Sequence, residues 1–277
     1  MKVIFLFTLL CSFAFIFSAL DYTQQNNWPS TCQKKTFGSP IAITSANVIT
    51  TNSKTLGLKL IQYPNVLTSP QQQVINQQFF VYSFTKITNN FVVLTRNGAD
   101  YKYTFQQMQF HCPAEHTIDA YRADCEIQLI HSRPAWIANP SADPNNILVI
   151  SILVKMTSTA TKNPIIETTS SIDLGALLQN SRNFYFYSGG MTTPPCTENY
   201  NWLIMSDMQN MTAQQLQELK SWISTYYPIG NNRQVQTNGN SVYQVTYNQA
   251  DSASITFSNT TTLLLSIFTF LIVFLMF

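Results

Sequence analysis

Between Gln107 and His131 the chain reads QMQFHCPAEHTIDAYRADCEIQLIH. Its three histidines, His111, His116 and His131, all fall here, beside Glu115 and Glu126. Imidazole and carboxylate groups so placed could hold a metal, carry a proton or pair within a core. On a strand, alternate side chains share a face, so Gln107, Gln109 and His111 point one way. Glu126, Gln128 and Ile130 likewise share a face of the second run. The common surface then offers one imidazole among amides. A glutamine gives a cation only a neutral carbonyl oxygen, a weak ligand for zinc. It can, however, both donate and accept hydrogen bonds.

The elements that must position these groups are mostly strands. FFVYSF (79–84), NFVVLT (90–95), YKYTFQQMQF (101–110), CEIQLIH (125–131), NILVISILVKM (146–156) and NWLIMSD (201–207) are short and rich in β-branched and aromatic residues. Turn residues separate them. Helical periodicity is clear in TAQQLQELKSWI (212–223), where Thr212 can cap the start and Leu216, Leu219 and Ile223 share a face. SIDLGALL (171–178) is a shorter candidate. The expected fold is a mostly β domain with a few surface helices.

Both ends read as processing signals. Residues 1–20 carry one lysine and then an uncharged apolar run, the pattern of a secretory signal peptide; the alternative is a membrane anchor. Residues 251–277 place Ser252, Ala253 and Ser254 before a polar spacer and an apolar tail from Leu263 to Phe277. That order is a signal for a glycolipid (GPI) anchor, and a retained membrane helix is the alternative. Residues 21–250 are one domain's worth of chain. The formal net charge of +2 gives no basic stripe for nucleic acid. Cys11 leaves with the signal peptide. Cys32, Cys112, Cys125 and Cys196 then form two disulfides in an exported chain, with three pairings open. Asn210 begins a glycosylation sequon.

Four ordered segments resemble the α-class carbonic anhydrases: GSPIAI (38–43), the 107–131 stretch, YSGGMTTPPCTENYNWLI (187–204) and NNRQVQTNGNSVY (231–243). TTPPCTE is the most specific of these. The resemblance covers about residues 28 to 243. It implies a central twisted, mainly antiparallel sheet of about ten strands with a conical cleft. In active members a zinc ion at the cleft bottom converts carbon dioxide and water to bicarbonate. The family's three imidazole ligands fall on Gln109, His111 and Gln128. Gln107 and Glu126 fall on the positions that orient those ligands. Glu115 and Thr192 fall on a pair in which the glutamate accepts from the threonine hydroxyl. Ile130, Val149, Met191 and Trp202 fall on the apolar wall, and Phe79 or Phe80 on the place of a proton-relay histidine. A Cys32–Cys196 bridge is also implied. The two metal strands are antiparallel neighbours in the family. If Gln109 opposes Gln128, then Cys112 opposes Cys125 and can bridge to it.

With two amides among three ligands, no zinc cofactor is expected. Water there would then keep its ordinary, very high pKa and supply no hydroxide at neutral pH. The expected protein is a catalytically silent, lipid-anchored ectodomain at the cell surface that binds an extracellular protein or glycan. The alternatives are an active zinc enzyme with an atypical metal site and a structural coat protein. Under the first reading His111 is a hydrogen-bonded core residue, and neither His116 nor His131 replaces a missing ligand by position.

Overall fold

The computed structural model describes residues 20–33, 36–63, 67–68, 71–75, 79–83, 89–133, 145–163, 171–172, 174, 178, 183–247 and 256–257. Ten strands follow one path through a sheet: β1 (Ile49–Thr51), β2 (Leu56–Gln62), β3 (Phe91–Arg96), β4 (Ala99–His111), β5 (Cys125–Ser132), β6 (Ile147–Met156), β7 (Phe184–Gly190), β8 (Glu198–Met205), β9 (Tyr243–Val245) and β10 (Thr256–Phe257). Their order across the sheet is β10-β2-β3-β4-β5-β6-β8-β7-β9-β1. Neighbours along this path are antiparallel except for β6–β8, β9–β1 and β10–β2. Gln71–Ile75, Phe79–Ser83 and Gln209–Met211 extend the same sheet. The expected mostly β architecture is what the chain adopts.

β6 is the central strand, and its sequence ILVISILVKM explains its place. Leu148 to Val154 are buried without a break, as required of a strand covered on both faces. On one face lies the larger core, with Phe105, Met108, Phe110, Ile127, Leu129, Leu148 and Ile150. On the other lies a smaller apolar cluster containing Val149, Leu153, Tyr187, Trp202 and Ile204.

Among the described residues, the α-helices α1 (Ser30–Gln33) and α2 (Ala213–Ser224) flank the sheet. The α2 start is a capping box, with Thr212 Oγ1 accepting from the Gln215 N–H and the Gln215 side chain accepting from the Thr212 N–H. Leu216, Leu219 and Ile223 are buried along one face, as the periodicity predicts. Thr212→Ala should lower unfolding stability by about 1 kcal/mol, readable by urea denaturation. The second helix candidate, 171–178, lies partly outside the described residues; Ser171–Ile172 within it is a short strand, whereas Leu174 and Leu178 are helical and buried. Residues 1–19 and 258–277, hence most of both terminal signals, lie outside them too. Among the described residues no helix is long and apolar enough to cross a membrane.

Candidate functional site

The site is built on the β4–β5 pair. Gln109 opposes Gln128 and His111 opposes Glu126, so the register expected from the sequence is the one observed. The same register places Cys112 against Cys125, and these form a disulfide with Cα atoms 4.3 Å apart. The second bridge joins Cys32 to Cys196, Cα to Cα 5.2 Å. Gln109, His111 and Gln128 therefore share one face and are all buried. Gln107 is half-buried opposite Ile130. Its side chain makes no hydrogen bond among the described residues, so it orients none of these groups.

His111 is fixed from one side. Its Nδ1 lies 2.7 Å from the carbonyl oxygen of Asn231. A carbonyl only accepts, so Nδ1 carries a proton, which in the neutral form of the ring leaves the lone pair at Nε2. Asn231 cannot drift, because its side chain accepts from the Cys112 N–H and donates to the Phe110 carbonyl. His111 Nε2 is buried and has no hydrogen-bond partner. Neither glutamine amide bonds to it.

The amide of Gln128 is engaged elsewhere. Its nitrogen donates to Glu115 Oε2 at 2.9 Å and to Glu126 Oε1 at 3.0 Å. A carboxylate can only accept, so it is the NH2 that faces the two glutamates. The other Glu115 oxygen accepts from the Arg233 backbone N–H at 2.9 Å, with His111 Nδ1 3.4 Å away. The expected hydroxyl bond from Thr192 to Glu115 is absent among the described residues. An amide with two N–H groups satisfies both carboxylates at once, which an imidazole at position 128 could not do. Thr192 itself is buried.

Glu126 gathers donors from four residues. Oε2 accepts from the backbone N–H groups of Glu115 and His116. Oε1 accepts from Gln128, from the Ser151 hydroxyl and from His116 Nδ1 at 2.8 Å. Burial alone would raise this carboxyl. The neighbouring His116 and these hydrogen bonds outweigh burial and hold it well below the usual carboxylate range. His116 Nε2 in turn meets the Tyr187 hydroxyl at 2.7 Å.

His131 sits on the opposite face, as expected, packed against Tyr63 and Phe105. Its Nδ1 donates to the Leu129 carbonyl, and its Nε2 accepts from the Tyr63 hydroxyl at 2.6 Å. Burial pushes it from 6.5 down to about 4. The unfolded chain therefore binds this proton more readily than the folded one, and stability falls as pH drops from 6.5 toward 4. The loss should total about 3 kcal/mol. Glu126 adds a separate loss only below its ordinary 4.5. In urea unfolding, wild type should weaken between pH 6.5 and 4.5 while His131→Phe stays level.

The apolar wall forms across three strands. Ile130 opposes Val149, and Val149 opposes Trp202. Met191 stands outside this buried cluster. It follows the last residue of β7, and its backbone, not its thioether, is engaged, donating to Thr197 and accepting from Arg233. Phe79 lies in Phe79–Ser83, which pairs with β4, but its side chain is outside the described residues. Asn210 is exposed on a strand bordering α2. Sequence reading missed the roles of Asn231, Arg233 and Ser151. Ser151 opposes Gln128 across β5–β6, a long-range pairing that residue order does not signal. The other two lie in the closing NNRQVQ segment already singled out.

A sheet of this order is an architecture already known among solved proteins. The structure of a halotolerant carbonic anhydrase from Dunaliella salina superposes with a TM-score of 0.65 at 18% identity, covering 82% of this chain and 98% of that one. Residues 23–246 match the model of the eukaryotic-type carbonic anhydrases, and the chain belongs to that family. Alpha carbonic anhydrase 8 of Arabidopsis thaliana is 30% identical over 191 residues, 66% of this chain and 46% of that protein. Carbonic anhydrase 6 of Homo sapiens is 30% identical over 145 residues, 43% of this chain and 47% of that protein. The chain thus spans about half the length of these two curated relatives.

The zinc that this family implies needs three protein ligands and an open position. The face built by Gln109, His111 and Gln128 offers one imidazole nitrogen and two neutral amides, one with its NH2 held by carboxylates. These residues do not fit a catalytic zinc. Among the described residues no group of three or more His, Cys, Asp or Glu side chains is arranged to hold a metal ion.

Proposed function

We propose that this protein is a catalytically silent carbonic-anhydrase-like ectodomain that serves as a binding module. Gln109 and Gln128 stand at two of the family's three imidazole ligand positions, and His111 stands at the third. The observation that carries the reading is the bond pattern of Gln128. Its NH2 grips Glu115 and Glu126, the groups that would otherwise orient a ligand and a hydroxide. Without a metal to acidify water, carbon dioxide hydration loses its nucleophile. The chain is exported through its leader at residues 1–20 and held at the cell surface by a lipid added near Ser252–Ser254. Its partner is an extracellular protein or glycan.

Zinc content and carbon dioxide hydration of the purified ectodomain test the silent reading. Far less than one zinc per chain and turnover at background are expected. Stoichiometric zinc with sulfonamide-sensitive turnover would overturn it. Release from cells by a phosphoinositide-specific phospholipase checks the anchor, and retention after treatment would favour a membrane helix.

A further inference from the structure

His111 presents a lone pair with nothing to receive. Its proton is on Nδ1, facing Asn231, and Nε2 is buried and unpartnered. A buried acceptor left without a donor is costly. Gln109 and Thr192 carry N–H and O–H groups on this face, but among the described residues neither donates to Nε2. Gln128 has both N–H groups on carboxylates, so only its carbonyl oxygen remains to offer. Gln109, directly across from it, has an amide that makes no hydrogen bond among the described residues. Thr192 adds a buried hydroxyl. The set thus joins two acceptors, His111 Nε2 and the Gln128 carbonyl, to a Gln109 amide that can both donate and accept, beside two buried carboxylates. At Nε2 an anion would meet a lone pair near negative charge, and a zinc ion would find one good ligand.

Nε2 can receive only a group that donates, and the Gln109 N–H groups can donate to that same group in return. Two residues along the strands from Gln128 stands Ile130, in register with Val149 and Trp202. Acceptors thus adjoin an apolar row. We infer that the face of Gln109, His111 and Gln128 binds an uncharged alcohol, as in a polyol or a sugar, whose hydroxyl donates to His111 Nε2. Its carbon skeleton packs against Ile130 and Val149. This inference rests on the metal-free reading above and gives that reading a ligand class.

The test uses 15N-labelled ectodomain, with ethylene glycol as the uncharged donor and acetate as the anion. The imidazole 15N resonances of His111 report tautomer and hydrogen bonding directly, and a purely structural role would not move them. The ring is expected as the Nδ1–H tautomer. Glycol should shift the Nε2 resonance saturably, and acetate should leave it in place. Gln109→Leu should weaken the glycol response about tenfold, the worth of one lost hydrogen bond, with thermal stability unchanged. Gln109→Asn, which keeps an amide, should retain part of the response. An Nε2–H tautomer, a response to acetate alone, no saturable glycol shift, or a Gln109→Leu response equal to wild type would each overturn the inference. Zinc is measured on the same sample. A full equivalent of zinc would sink the metal-free reading itself, whereas a metal-free protein blind to glycol sinks only the alcohol site.

Discussion

Gln109→His combined with Gln128→His is expected to raise zinc affinity by at least about 10^4-fold over wild type. Even groups that merely support a ligand contribute about 10–100-fold, and here two imidazole ligands themselves are supplied. The backbone already has the required register, since the two positions oppose each other across β4 and β5. His111 already holds its proton on the side away from the site. The pair should act together, because one added imidazole leaves the metal a ligand short. There is a second consequence at position 128. An imidazole has one N–H to give on its far side, so it can serve Glu126 or Glu115, not both. Glu115 Oε2 would then need a new donor, and the Thr192 hydroxyl is the group the family places there. Competition titration with a zinc chelator measures the affinity. A double variant that folds as stably as wild type and still fails to bind zinc would show that more than ligand identity has changed.

Replacing Cys32 and Cys196 by serine is expected to cost about 5 kcal/mol, against about 3 kcal/mol for Cys112 and Cys125. The two bridges close segments of very different length, with separations of 164 and 13 residues. In the chain-entropy account, the longer loop restrains the unfolded state more. The Cys32 bridge also has local neighbours to lose. The Cys32 carbonyl accepts from the Arg233 guanidinium, which also donates to the Ser39 and Met191 carbonyls. One cation thereby joins the N-terminal turn, the segment before Thr192 and the closing segment. Urea unfolding of the two double variants gives the comparison directly. Equal costs would mean that native contacts or residual unfolded structure, not loop length, decide the effect.

Much of this frame can be read from residue order. Period-two alternation in QMQFH and CEIQLIH places the amides and His111 on one face, and one assumed pairing correctly links Cys112 with Cys125. Thr212 and its apolar spacing predict α2. What pattern does not specify is the choice among competing donors inside a buried cluster. Glu115 accepts from Gln128 where the resemblance implied Thr192, because an amide placed between two carboxylates satisfies more groups than one hydroxyl. Ser151 joins Glu126 only because β6 lies beside β5, a long-range pairing with no local signature. Met191 falls outside the apolar wall because it follows β7 and belongs to the connecting loop, where alternation no longer decides which way a side chain points.

The sheet separates its two apolar clusters, and this has a bearing on how such a protein can change. Phe105, Phe110, Ile127 and Leu129 on the far side are the ballast of the fold, and none of them faces the polar floor. Successive substitutions at positions 109 and 128 can therefore alter the chemistry of one surface while the hydrophobic packing opposite stays untouched.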